Sequence, residues 1–157
     1  MRKRITKITT KKGDDGTTGM ADGARIDKSS SLIEAIGEID ELNSWIGLLC
    51  TLPELHKEAD TLKKIQNCLF DVGGSLTMRS QMILDPSHIT LLDKRIKLIN
   101  KKLPDLENFV LPGGHESSSK THIARAVCRR AERAIVKAKK SDDVDINSIA
   151  YLNRLSD

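Results

Sequence analysis

The sequence predicts an all-α fold, a helical bundle preceded by an extended N-terminal loop, and three observations carry that prediction. Aromatic residues make up only 3% of the chain and charged residues 31%, with Leu, Ile, Ala, Lys and Glu abundant, a balance that favours helices over a β sandwich. Beyond Ser31 the apolar residues recur every three to four positions. The links between periodic segments are short, with Pro, Gly or Asp at several of them, as in bundles. At 157 residues the chain fits one domain, large enough to bury a core without crosslinks.

Residues 1–30 have no helical periodicity. Gly13, Gly16, Gly19 and Gly23 are interspersed with Thr9, Thr10, Thr17, Thr18 and several lysines, so this is a loop rich in backbone donors and hydroxyls. Segment 5–10 is a candidate edge strand, with disorder the alternative. The run Lys11-Lys12-Gly13-Asp14-Asp15-Gly16-Thr17-Thr18-Gly19 lacks the spacing of a P-loop. It still has the amides, lysines and hydroxyls to wrap phosphates, with Asp14 or Asp15 placed to help hold Mg²⁺. A flexible polar tail is the other reading.

The first helix begins at Ser31, where Ser31-Leu32-Ile33-Glu34 matches a capping box. Leu32, Ala35, Ile36, Ile39, Leu42, Ile46 and Leu49 carry its core stripe to about residue 50, with Asp40 and Asn43 on the flank. Pro53 suits the first turn of a second helix, whose stripe runs from Leu55 through Leu76 and includes Gly73 and Gly74. Asp85-Pro86 opens a third, with Ile89, Leu92, Ile96, Ile99 and Leu103 on its core face before Pro104 stops it. The stretch Asn108 to Gly114 is extended and apolar. It is either a buried connector or a loop holding Phe109 at a cavity wall.

The fourth helix contains His122 to Arg133 and sorts its chemistry by face. At about 100° per residue, Ile123, Val127, Ala131, Ala134 and Ala138 fall on a packing side, and Arg125, Arg129 and Arg133 form a stripe almost opposite. Glu132 is spaced to brace guanidinium groups. Such a row suits a polyphosphate, although a solvated helix face is the commoner meaning of an arginine stripe. Residues 137–143 form a solvated link. Asp145 caps the last helix, where Ile146, Ile149, Leu152 and Ser156 share a side with Asn153. Asn153 is either a bundle-locking hydrogen bond or a ligand contact.

The net charge of +4 is spread along the chain, and two Phe, one Tyr and one Trp offer little for bases to stack on, which argues against nucleic acid as a partner. Cys50, Cys68 and Cys128 fit neither a metal knuckle nor a disulfide framework and read as buried free thiols. No stretch approaches the ~20 apolar residues of a membrane span, so a cytoplasmic protein is expected. His115-Glu116 with His122 lacks zinc-hydrolase spacing, and no metal-ligand set is assigned. The serine runs 29–31 and 117–119 sit where helix caps are expected.

Five stretches in order resemble the PduO-type ATP:cob(I)alamin adenosyltransferases, a corrinoid adenosyltransferase family. They are Thr10 to Gly19; Glu34-Ala35-Ile36-Gly37-Glu38-Ile39-Asp40-Glu41-Leu42-Asn43-Ser44; Phe109 to Gly114; Arg125 to Arg133; and Tyr151-Leu152-Asn153-Arg154-Leu155-Ser156-Asp157. The resemblance implies a five-helix bundle, a single adenosyltransferase domain over residues 1–157, assembled as a homotrimer with a site at each subunit interface. The substrates would be ATP, with Mg²⁺, and cobalamin.

By similarity, ATP would be held by Thr10, Lys11, Lys12, Gly13, Thr18 and Lys28 of the loop, by Arg129, Arg130, Glu132 and Arg133, and by Asn153. Asp40 would pair with Arg125 across the interface, and Phe109 would line the corrinoid side, where the family uses this residue to displace the lower ligand of cobalt. Protein partners of the implied kind are a corrinoid reductase or a B12-dependent enzyme. The family often has tyrosine where Ile36 stands, and its last helix normally runs on past Leu-Ser-Asp; either a tail lies outside this sequence or part of the fifth helix is lost. Two other functions compete: a non-catalytic corrinoid carrier, and a basic helical oligomer that binds polyanions generally.

Overall fold

The computed structural model describes residues 9–78 and 83–157. Five α-helices follow a small hairpin: α1 (Ser31–Cys50), α2 (Ala59–Thr77), α3 (Ser87–Asn100), α4 (Glu116–Ala138) and α5 (Ile146–Ser156). Helix α1 packs between α2 and α4, α4 packs on α5, and α5 on α3. One core joins them, including Leu32, Leu42, Leu69, Ile135, Tyr151 and Leu152. Burying a Leu or Ile side chain is worth about 1.5–3 kcal/mol, so the apolar stripes of these helices hold the bundle.

Where the sequence suggested only an irregular loop, strands β1 (Thr17–Gly19) and β2 (Arg25–Asp27) pair antiparallel, with Thr18 opposite Ile26. Side chains hold this hairpin. Asp15 accepts from the Thr17 amide at 2.9 Å and from its hydroxyl at 2.8 Å, and Arg25 donates to Thr17 and to the Lys12 carbonyl. The expected strand at 5–10 lies partly outside the described residues, and residues 9 and 10 are irregular.

The cap of α1 is one residue earlier than the capping box predicts. Ser30 is extended at ψ 149°, and its hydroxyl accepts from the Ile33 amide. Glu34 does not return the bond; it meets Lys137 of α4 at 2.7 Å. Pro53–Glu58 forms a separate 3-10 turn before α2, with proline in its first turn, so the expected second helix is split. Within α1 and α2, Asn43 donates to the Gln66 carbonyl at 3.3 Å and Gln66 donates back to the Asn43 carbonyl at 3.2 Å. A Cβ at Gly47 would stand 3.0 Å from the Gln66 amide nitrogen, so glycine permits this close approach.

Helix α3 departs most from its pattern. Only Leu92 of its stripe is buried, while Ile99 and Leu103 are about half exposed, and the helix stops at Asn100 before reaching Leu103. It packs on α5, which has 11 residues, and Leu92, Ile96 and Ile99 face a groove of about 500 Å³ shared with Leu155 and Asp157. Ser117 to Ser119 lie inside the first turn of α4, not at its cap; His115 takes that place, its Nδ1 accepting from the Ser117 amide. Gly114 at φ +88° makes the turn into it. Helix α4 runs through Lys137, so the link expected from residue 137 starts after Ala138.

Asp145 ties two distant segments together. One carboxylate oxygen caps α5 by accepting from the Asn147 amide at 3.0 Å; the other accepts from the Leu84 amide at 2.9 Å and the Ser148 hydroxyl at 3.3 Å. Asn147 completes the clamp by donating to the Leu84 carbonyl at 2.9 Å. Loss of the cap together with an orphaned buried amide makes Asp145→Ala cost about 3 kcal/mol. Urea unfolding of the variant measures it, and a loss below about 0.5 kcal/mol, the range of ordinary surface changes, contradicts it.

All three cysteines are free; Cys68 and Cys128 are buried and Cys50 is half-buried. Burial pushes the Cys68 thiol up to about 11 and the Cys128 thiol up to about 12. Both are therefore protonated and inert near neutrality.

Candidate active site

The exposed face of α4 organises the candidate site. Its packing face is Ala124, Val127, Cys128, Ala131, Ala134, Ile135 and Ala138. Ile123, expected among these, is 44% exposed because the buried stripe is rotated toward Ala124 and Cys128. Arg125, Arg129 and Arg133 are all exposed, as their phase requires.

Two recesses follow one another along this helix. At its N-terminal half, a recess of about 800 Å³ is lined by Phe109, Val110 and Pro112 of the connector and by His122 and Arg125 of α4. The connector is not buried: Leu106, Phe109 and Leu111 are almost wholly exposed. Of the two readings of this stretch, the loop at a cavity wall is the one observed. Farther along, Arg129, Glu132, Arg133, Val136, Lys137 and Lys140 line a second recess of about 400 Å³. Arg125 and Arg129 are one turn apart, so about 6 Å along the axis separates the last arginine of the first recess from the first of the second.

Glu132 does not brace an arginine among the described residues. Its carboxylate accepts from the Asn153 side chain at 3.0 Å, which places Asn153 beside the cationic recess. Asn153 is exposed, not on the buried stripe of α5, which consists of Ser148, Tyr151, Leu152 and Ser156. Its hydrogen bond therefore orders the rim of a site rather than a core.

Arg130 stands apart from the other arginines. It is bound to Glu38, at 2.6 Å, and to Glu41 of α1, and these two carboxylates hold its guanidinium pKa above the ordinary value. The hydrogen bond from Arg130 likewise draws the Glu41 carboxyl below the usual range. Its ion pairs make Arg130 a link between α1 and α4. The Glu38 pair, the less exposed of the two, is still partly solvated and contributes about 0.2–1 kcal/mol. A double-mutant cycle on Arg130→Met and Glu38→Gln should return a coupling in that range; no coupling contradicts the brace.

The loop residues assigned to ATP form a compact turn. Lys28 donates to the Gly13 carbonyl at 2.7 Å and its amide to the Gly16 carbonyl at 2.9 Å. A Cβ at Gly13 would stand 3.0 Å from the Lys28 ammonium and 3.2 Å from the Thr17 carbonyl, so this bend fits glycine. Lys11 is held in the left-handed region at φ 57°, a conformation uncommon for a residue with a Cβ. Within one protomer, none of Thr10, Lys11, Lys12, Gly13, Thr18 and Lys28 is hydrogen-bonded to α4 among the described residues.

Asp40 and Arg125 are not paired within the chain either. Asp40 lines a groove of about 510 Å³ between α1 and α2 with Ile36, Gly37, Phe70, Gly73 and Gly74. Phe70 is 70% exposed there. Sequence reasoning did not single out His122, Lys137 or Lys140 as lining residues. The signal for Lys137 was its spacing of four from Arg133, continuing the arginine stripe; for Lys140 and His122 it was weaker.

Residues 8–157 match the family described as cobalamin adenosyltransferase. A cobalamin adenosyltransferase of Cupriavidus metallidurans is 46% identical, the alignment covering 100% of this chain and 86% of that protein. A corrinoid adenosyltransferase of Bacillus subtilis is 43% identical over 96% of this chain and 81% of its own length. Among solved structures, a variant PduO-type ATP:corrinoid adenosyltransferase from Lactobacillus reuteri, complexed with cobalamin and ATP, superposes with a TM-score of 0.90 at 32% identity, covering 96% of this chain and 87% of that one. The chain belongs to the cobalamin adenosyltransferase family.

Proposed function

We propose that the protein transfers the 5′-deoxyadenosyl group of ATP to the cobalt of reduced cob(I)alamin, giving adenosylcobalamin and triphosphate. Similarity along the whole chain to corrinoid adenosyltransferases supports this reading. The observation that carries it is the succession along α4 of an aromatic-walled recess and a cationic recess, one helical turn apart. The first suits a large flat macrocycle, the second a polyphosphate.

The chemistry needs no side-chain nucleophile. Co(I) supplies the electron pair that forms the bond to C5′, the C5′–O bond breaks, and triphosphate leaves with the pair of that broken bond as cobalt rises formally to Co(III). The task left to the protein is positioning and neutralising charge. Arg129 and Arg133, with Lys137 beyond them, line the cationic recess where triphosphate would lie. Asn153 holds Glu132 at its rim, and Phe109 covers the corrinoid side. The loop turn of Thr10, Lys11, Lys12, Gly13, Thr18 and Lys28 would close over the nucleotide.

Magnesium would enter with ATP. Mg²⁺ commonly rests on one or two carboxylates and on phosphate oxygens, and no cluster of three or more potential ligands occurs among the described residues. Asp15 is engaged by Thr17 and Arg25, so exposed Asp14 is the carboxylate that fits. Bound there, the ion would offset phosphate charge.

The working form in this reading is a homotrimer. Among the described residues of one protomer the loop turn makes no bond to α4, and Asp40 and Arg125 face separate cavities; a neighbouring copy would bring both pairs together. Exposed Phe70 beside Gly37, Gly73 and Gly74 gives the α1–α2 groove the character of a contact surface. No described helix is long and apolar enough to cross a membrane, and the free thiols suit a reducing cytoplasm. A corrinoid reductase supplying Co(I) and a B12-dependent enzyme receiving product are the protein partners this chemistry calls for. Intact triphosphate, seen by phosphorus NMR in step with adenosylcobalamin, is the expected product; diphosphate and phosphate in its place would rule the reaction out.

A further inference from the structure

We propose that His122 is a positioning residue for the corrinoid, taking a hydrogen bond with an amide at the edge of the macrocycle. This rests on the reading of the larger recess as the corrinoid side. His122 and Arg125 line it from α4, three residues apart on one helix face. Opposite them stand the apolar connector residues Phe109, Val110 and Pro112. The connector also brings Glu107 and Asn108 to the recess, but from an irregular exposed loop.

His122 is half-buried, and among the described residues no hydrogen bond or ion pair engages it. The other histidine near this helix differs: His115 is committed to the helix cap through Nδ1. A partly exposed imidazole without a protein partner, on the helical wall of a recess, is free to bond a ligand that enters it. A corrin ring has two apolar faces and a rim of carboxamide side chains. Phe109 suits a face. A neutral imidazole carries one donor and one acceptor, which matches the donor and acceptor of a carboxamide. In the reading that pairs Arg125, which also lines this recess, with Asp40 of a neighbouring copy, His122 is the polar group that α4 has left to fix the ring's rotation.

The test is equilibrium titration of cob(II)alamin and of cobinamide, which keeps the ring amides but lacks the nucleotide tail, into the full chain and its His122→Ala and His122→Gln variants. Helicity of each variant is checked first. Loss of one hydrogen bond should weaken both corrinoids about fivefold in His122→Ala, with recovery in His122→Gln and no change in ATP affinity. Unchanged corrinoid affinity overturns the inference, as does an effect confined to cobalamin, which would put His122 against the tail. If a well-folded wild type binds corrinoid but never transfers the adenosyl group, the proposed reaction fails, and the affinity ratios still decide the role of His122.

Discussion

Arg129→Ala is expected to lower turnover by about two to three orders of magnitude, the loss typical when one pre-placed donor is taken from developing charge. As C5′ passes to cobalt, the triphosphate oxygen gains charge that ATP does not carry in the ground state. A guanidinium at the mouth of the cationic recess meets that charge more strongly in the transition state than before it, so the loss should fall mainly on kcat. Arg129 is exposed and lies on the face of α4 opposite its buried residues. Its removal should therefore leave stability within about 0.5 kcal/mol. Circular dichroism and steady-state kinetics measure the two sides of this claim; unchanged kinetics in a folded variant contradicts the role.

The second large effect concerns assembly. Asp40→Arg alone, or Arg125→Asp alone, should dissociate the proposed homotrimer and reduce turnover at least about 100-fold, since like charges facing each other across an interface cost several kcal/mol. The double exchange should restore the trimer mass by light scattering, because it reverses the pair without removing it. Arg125 also lines the recess proposed for the corrinoid, so activity should recover less fully than mass. A single variant that remains trimeric contradicts the pairing. Dissociation in both single variants without rescue in the double variant would place each residue at the interface with some other partner.

The helices were legible in the sequence because each carries a long periodic stripe. The stripes of α1 and α2 predicted their buried residues well, and the phase of α4 set Arg125, Arg129 and Arg133 outward. Caps were less certain. Ser30 and Ser31 are chemically alike, so only backbone conformation decides which one caps, and a histidine cap on α4 has no strong propensity signal. The hairpin at 17–27 was invisible to periodicity, because three-residue strands hold no pattern and their geometry comes from Asp15 and Arg25.

Tertiary placement explains the other departures. The stripe of α3 predicts burial only if a neighbour covers it, and α5 covers no more than part. Arg130 shares the composition of its neighbours Arg129 and Arg133, but its phase turns it to Glu38 and Glu41. Asn153 fell on a predicted apolar side, yet the burial of Tyr151 rotates α5 so that Asn153 reaches Glu132. The chemical logic of the site was legible chiefly as motifs in order; its division into two successive recesses required the fold.

The most direct test is anaerobic incubation of the full chain with strongly reduced cobalamin and MgATP, followed by absorbance. Adenosyl transfer predicts that the Co(I) spectrum is replaced by that of an alkylated corrinoid, in proportion to enzyme and only when ATP is present. Tight corrinoid binding with no ATP-dependent Co–C bond would contradict it and leave the protein a carrier.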